Sequence, residues 1–251
     1  LLGPALAGVV IGLYGTSVAV LCNALTYIPI LLAWFFIHLP IKTTIKTSDS
    51  IAKGIKEGIS YVRNIPALGN IFILQGILAF GIRPVTLMLA AFIGAVYKGG
   101  AEDLALYTAI LGLGAVAAGM YITLRGRAEG LVKSMLINSL ASILALAVFA
   151  WATQILLGLL MIFIVGWSIT LSSVSSQTLV QNSIDDELRG RVLSLWAALT
   201  RGATALGVLL IGFVAEYIGL FWPNLIAAML CLYGLIIFWR RSQQMRLYFE
   251  S

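Results

Sequence analysis

The sequence predicts an all-α integral membrane protein, a helical bundle with about seven full spans plus part of an eighth. Three observations carry this prediction. Of 251 residues, 61% are hydrophobic and 10% charged, where a soluble domain runs at roughly 45–50% and about 25%. Mean hydropathy is +1.02, so a water-facing coat cannot be built and lipid must be the solvent. Long apolar runs recur at the roughly 20 residues that a bilayer-crossing helix needs. Finally, the Lys and Arg residues alternate by loop between crowded and nearly absent.

A short apolar run opens the chain at Leu1–Leu13. Spans then follow at Val18–Ile37, Ile71–Val96, Leu104–Leu124, Met135–Trp151, Ile155–Val180, Val192–Ala215 and Leu225–Trp239. The chain opens mid-pattern with no Met and no signal-peptide features, so its true N-terminus is expected upstream.

The connection between the second and third runs holds Lys42, Lys46, Lys53, Lys56 and Arg63. Arg125, Arg127 and Lys133 follow on the same side, then Arg189 and Arg191, then Arg240, Arg241 and Arg246. The opposite side holds Lys98 alone, a ratio of thirteen to one. The positive-inside rule puts the basic loops and the C-terminus in the cytoplasm. Ile51, Ile55, Ile59 and Val62 form one stripe between charged residues, which predicts a short amphipathic helix on the inner leaflet. Trp151 and Trp222 are expected at the outer interface, and Trp34, Trp196 and Trp239 at the inner one.

Among the 25 glycines, Gly112 with Gly114, and Gly202, Gly207 and Gly212, suggest seams of close helix approach. Cys22 and Cys231 lie inside apolar runs and read as small packing residues, not as a disulfide or metal pair. Pro4–Gly12 and Thr204–Gly212 align without gaps at an offset of 200, six spans apart, as two halves in parallel repeat would place them.

Several polar residues interrupt the spans. Arg83 lies mid-span, where a cation costs roughly 2.5–3.5 kcal/mol. The surrounding Leu, Ile, Val and Phe residues return about 0.3–0.6 kcal/mol each, so the span inserts and Arg83 must face protein or water. Pro84 beside it frees a carbonyl and bends the helix, as in the broken helices of transport sites. Gln75, Asn23 and Tyr27 are further intruders, and Ser168–Gln181 is rich in Ser, Thr and Gln, with Ser172 and Gln177 as pathway candidates. Arg201 either snorkels inward or pairs inside the bundle. At the turn before the seventh run, Ser183 and Asp186 have the spacing of an N-cap.

Certain stretches resemble the major facilitator superfamily, in its drug:proton antiporter branch of macrolide and enterobactin exporters, the transmembrane secretion effectors. Gly3-Pro4-Ala5-Leu6-Ala7-Gly8 resembles the second half of the antiporter motif on span five. Lys56–Arg63 followed by Pro66 resembles the entry to span seven. Gln177–Gln181 with Asp185–Val192 resembles the span ten to eleven junction. Where the family pattern carries a Glu and then a Pro after Arg83-Pro84-Val85, this chain has Leu87 and Ala90.

The resemblance implies a major-facilitator-type bundle in which residues 1–40 end the N-terminal six-helix half. Residues 41–66 would then link the halves, 67–240 form the C-terminal half, and 241–251 a cytoplasmic tail. It implies a secondary transporter in the cell (inner) membrane that exports an amphipathic drug- or siderophore-like molecule by proton-coupled alternating access. Asp185, Asp186, Glu187, Arg189 and Arg191 would form its cytoplasmic gate. Expected partners are the bilayer, the small-molecule substrate, protons and the missing N-terminal spans.

Neither a P-loop nor a His-rich metal pattern nor a nucleophile elbow is found. The expectation is therefore no enzyme, no cofactor and no metal. The basic pI of about 9.5 follows from the loops, so no nucleic-acid partner is expected. The competing readings are a non-transporting membrane scaffold and a membrane enzyme. The enzyme would need acid or His clusters that one His and few intramembrane acids do not supply.

Overall fold

A computed structural model describes residue 14 and residues 17–36, 51–125, 130–152 and 154–249. The antiporter-like Gly3, Pro4 and Gly8, and the linker cations Lys42 and Lys46, lie outside the described residues. The chain divides into two units, Leu1–Ile51 and Ala52–Ser251. Every described element is helical, and seven helices among the described residues are long and apolar enough to span a membrane.

The first unit contributes α1 (Ser17–Phe36), an apolar helix with no buried residue. A turn at Thr26 interrupts it, and the Thr26 hydroxyl donates to the Asn23 carbonyl at 2.6 Å. Asn23 and Tyr27 are both exposed.

The second unit begins with the amphipathic helix α2 (Ile51–Asn64). Pro66 then occupies the first turn of α3 (Pro66–Gly81), a position where its missing N–H costs nothing. The expected span Ile71–Val96 is therefore longer than its apolar run and is not one helix. It continues as α4 (Arg83–Leu87) and α5 (Leu89–Ala95), broken at Ile82 and Met88. Next come α6 (Ala101–Arg125), α7 (Leu131–Trp151), α8 (Ile155–Asn182), α9 (Arg189–Ile218), α10 (Phe221–Arg240) and the short α11 (Ser242–Phe249). α6, α8 and α9 extend past their apolar runs into polar or charged residues, among them Arg125, Asn182 and Arg189.

The packing follows a rule. Residues 66–151 form one triplet of spans and 155–240 a second. The first span of each triplet packs on the second and third of the other: α3 on α9 and α10, α8 on α6 and α7. α7 and α10, the two third spans, close the bundle between them. Three is odd, so the two triplets enter the bilayer from opposite faces, and an inverted repeat results.

Two contacts show how glycine permits this where lipid gives no hydrophobic drive. Gly114 of α6 lies against the Phe163 carbonyl of α8, and Gly166 of α8 lies reciprocally against the Leu111 carbonyl. A Cβ on either would overlap backbone. Of the second expected seam, Gly207 is a close contact, a Cβ on Gly212 would meet Met88 at an ordinary 3.6 Å, and a Cβ on Gly202 would find nothing within 4 Å. Cys231 is buried and donates to the Ile77 carbonyl at 3.3 Å, whereas Cys22 is exposed.

The aromatic belt needs one correction. Trp34, Trp151, Trp222 and Trp239 are exposed, but Trp196 is buried against Phe72, edge to face at 5.0 Å. It lies two turns into α9 on the side facing α3, so packing takes it out of the interface.

Candidate functional site

The broken first span of the second unit positions the site. Pro84 has no N–H, so the Phe80 carbonyl loses its helical donor. Gly207 of α9 packs on that carbonyl and on the Pro84 ring, which lets the two backbones meet at the break. The bend also turns Arg83 toward α8. Its Nη2 donates to Ser173 Oγ at 2.8 Å, while its own carbonyl accepts from the Thr86 hydroxyl at 2.8 Å. Arg83 is half-buried, and among the described residues no carboxylate pairs with it.

Two turns earlier, Gln75 is buried and also reaches α8, where its Nε2 donates to Ser172 Oγ at 3.2 Å. Ser172 Oγ shares a 2.8 Å hydrogen bond with Ser139 Oγ of α7. Ser139 in turn donates to the Met135 carbonyl at 2.7 Å, and Ser142 donates to the Ser139 carbonyl at 2.8 Å. A polar ladder therefore crosses the bundle from α3 through α8 to α7. Beside it lies a cavity of about 20 Å³ lined by Gln75, Arg83, Ser142 and Ser172 together with Leu78, Ile82 and Ile169. One water needs about 10–15 Å³ and two to four polar partners, so the void suits a single water.

The structure thus brings together three of the six pathway candidates: Arg83, Gln75 and Ser172. Gln177 is exposed further along α8. Asn23 and Tyr27 belong to the first unit. Sequence reading missed Ser139 and Ser142, which sit three apart in a run, Met135–Trp151, whose only other polar side chain besides Trp151 is Asn138. That spacing was their available signal, since it puts both hydroxyls on one helix face. Ser173, the actual partner of Arg83, lay unremarked inside the Ser-rich stretch.

At the basic end of the bundle the gate candidates separate into three contacts. Arg191 ion-pairs with Glu57 of α2. Asp186 pairs with Arg189 at 2.6 Å within the same turn. Asp185 accepts from the Tyr61 hydroxyl at 3.4 Å, and that hydroxyl also reaches the Ser183 carbonyl at 3.3 Å. Burial holds the Tyr61 phenol above its usual pKa, and the nearby Asp185 charge adds to this, so it stays a donor. Glu187 is exposed.

α2 can lie this close because Gly54 and Gly58 face α9. A Cβ on Gly58 would meet Leu195 at 2.6 Å, and one on Gly54 would meet Arg191 at 3.7 Å. Ile55 and Ile59 of the apolar stripe stay exposed on another side, where a membrane surface could take them.

The expected N-cap at Ser183 is not formed. Ser183 ends α8 by donating to the Leu179 carbonyl at 2.7 Å, and α9 starts only at Arg189 with no side-chain cap. The turn Ile184–Leu188 is too long for Ser183 to reach the next helix.

Comparisons with known proteins agree with this architecture. The family model described as transmembrane secretion effector matches residues 1–246. Among curated relatives, the "Enterobactin exporter EntS" of Citrobacter koseri is 26% identical over 160 residues. That of Shigella boydii serotype 18 is 29% identical over 163 residues, and that of Escherichia coli O81 is 28% identical over 163. Each match covers 64% of this chain and 38% of the relative, so the chain aligns with well under half of those proteins. The match over nearly the whole chain, on a bundle of apolar spans built as an inverted repeat, places it: the chain belongs to the transmembrane secretion effector family of major facilitator transporters.

Proposed function

We propose that this chain forms part of an exporter that moves an amphipathic small molecule, drug-like or siderophore-like, out of the cell across its inner membrane. Residues 67–240 act as one rocking half, residues 41–66 tie it to the other, and the basic loops and C-terminus face the cytoplasm. The relatives are enterobactin exporters, which supports efflux and a siderophore-like substrate.

The single observation that carries the reading is Arg83. A cation is kept half-buried at a helix break by one serine hydroxyl, with no carboxylate pairing it among the described residues. A structural cation would be neutralised where it sits. This one retains donors for an acidic or phenolic substrate group, or for a carboxylate elsewhere in the transporter. The adjoining Gln75–Ser172–Ser139 ladder and its water-sized void give the site a polar wall. Rocking one half against the other would expose Arg83 to each side in turn. Proton coupling is proposed from the resemblance.

The test is transport of a fluorescent amphipathic acid by the full-length protein, read as uptake into inside-out vesicles or as efflux from whole cells. Arg83→Ala should abolish transport at normal membrane abundance, Arg83→Lys should keep part of it, and collapsing the proton gradient should stop it. Transport by Arg83→Ala at the unsubstituted rate removes Arg83 from the pathway. Transport indifferent to the gradient removes the coupling.

A further inference from the structure

A second polar site lies away from the Arg83 ladder, at the basic end of the bundle. α6 and α7 both pack on α8, and the groove left between their facing ends is a cavity of about 490 Å³. Arg125 from the last turn of α6 and Lys133 from the first turn of α7 line it together, with Ser134 and Asn138 below them and Tyr121 and Trp167 at its side.

Donors outnumber acceptors in the lining, although Asn138 gives its amide N–H to the Ser134 carbonyl at 2.8 Å. Ser134 Oγ accepts from Ser175 Oγ at 3.3 Å, which leaves its own proton to give. The indole of Trp167 donates only. The first N–H groups of α7 add the positive end of a helix dipole beside Lys133.

The Arg125 guanidinium reaches back over the start of α7. Gly130 has φ +73°, in the left-handed region, and a Cβ there would sit 2.8 Å from an Arg125 guanidinium nitrogen. Glycine at 130 therefore serves the turn and also makes room for the guanidinium against the start of α7. Further along the groove the chemistry changes. Tyr121 and Trp167 pack at a tilt with ring centroids 5.6 Å apart, and Ile137 and Leu171 continue an apolar wall.

The geometry points to a binding site for the phosphate headgroup of an anionic glycerophospholipid, held by Arg125, Lys133 and Ser134 with the upper acyl chain along Tyr121, Trp167 and Ile137. A free phosphate shares the headgroup chemistry but has no use for the apolar continuation, and that continuation commits the site to lipid. Basic pockets between spans at a membrane face bind such headgroups, and each cation near the surface contributes about fivefold in affinity.

The experiment is native mass spectrometry of the full-length protein, titrated with phosphatidylglycerol, with phosphatidylcholine as the neutral probe and inorganic phosphate as competitor. One phosphatidylglycerol should bind in preference to phosphatidylcholine. Lys133→Gln should weaken it about fivefold, and Lys133→Arg should retain it. Gly130→Ala keeps both charges and should still weaken binding by displacing Arg125, which a mere sum of charge would not predict. Equal binding of the two lipids, or an unchanged titration for both Lys133→Gln and Gly130→Ala, overturns the site. Displacement of the lipid by inorganic phosphate alone overturns the lipid assignment.

Discussion

Gly207→Ala should destabilise the bundle although alanine is the better helix former. A Cβ at 207 would overlap the Phe80 carbonyl oxygen and lie 2.7 Å from Pro84 Cγ and 3.0 Å from the Phe80 carbonyl carbon. Carbon–oxygen contacts close at about 3.3 Å. All three obstacles are backbone or proline ring, so no rotamer change clears them and α9 must back away from the break by about 1 Å. Such overpacking costs about 1–3 kcal/mol, and the helix-propensity gain returns at most about 1 kcal/mol. The net loss is about 1 kcal/mol, near fivefold in the folding equilibrium and about 2–4 °C in melting temperature for a chain of this size. Gly202→Ala on the same helix meets nothing within 4 Å, gains the same propensity and should melt at or above the unsubstituted protein. Cys231 is 1% exposed, so a thiol-reactive dye in a Cys22→Ser background reports unfolding directly. Gly207→Ala melting no lower than Gly202→Ala would refute the claim that the Phe80 carbonyl freed by Pro84 sets the α3–α9 distance.

Two other substitutions follow from the same packing. Ser172→Ala removes its bonds to Gln75 and Ser139 together. Interhelical hydrogen bonds in bilayers average about 0.6 kcal/mol and reach about 1.7, so a loss of about 1–2 kcal/mol is expected in the same dye assay, and an unshifted melt would show the ladder to be energetically idle. The Glu57–Arg191 pair has side chains 35% and 40% exposed, so a double-mutant cycle with Glu57→Gln and Arg191→Gln should give a coupling under about 1 kcal/mol that shrinks in high salt. A large salt-insensitive coupling would mean the pair is shielded by parts of the transporter that pack on α2.

Spans and their order were legible because a bilayer leaves few ways to hide a backbone, and about 20 apolar residues announce each solution. Pro84 announced the break beside Arg83. The span's own start at Pro66 was obscured because Gly69 and Asn70 interrupt the apolar run, yet a proline after the linker is itself a helix-start signal. What sequence could not give was partner choice. Ser172 and Ser173 are adjacent but serve Gln75 and Arg83 respectively, and only the packing of α3 on α8 decides that. Ser183 read as a cap for the helix after it and serves the helix before it, because a single hydroxyl spacing fits both ends of a turn. Arg191 looked like a gate partner and meets Glu57 from a helix 134 positions earlier, a contact that rests on Gly54 and Gly58 admitting α2 to α9. Gly112, Gly114, Gly202 and Gly207 look alike in sequence, and helix rotation alone makes Gly207 a contact and Gly202 a vacancy.

Exposure means something different on these helices than on a soluble protein. α6 and α9, the second spans of their triplets, are each buried over only 17% of their most apolar window, against 67% for the broken first span. For Leu206, Leu209 and Leu210 that exposure is unremarkable, since hydrocarbon satisfies them as well as protein does. For Arg201 it is not. It is exposed on α9 about 18 Å from the helix start at Arg189, near the depth where a cation against lipid costs roughly 2.5–3.5 kcal/mol. Leu199 and Ala203 line the apolar groove shared with α3 and α10. At 100° per residue Arg201 lies about 160° from one of them and 200° from the other when the three are wound on one helix, hence on the far side from that groove. The apolar groove is where lipid can sit at no cost, so the opposite face of α9 is the one that water or further protein must cover.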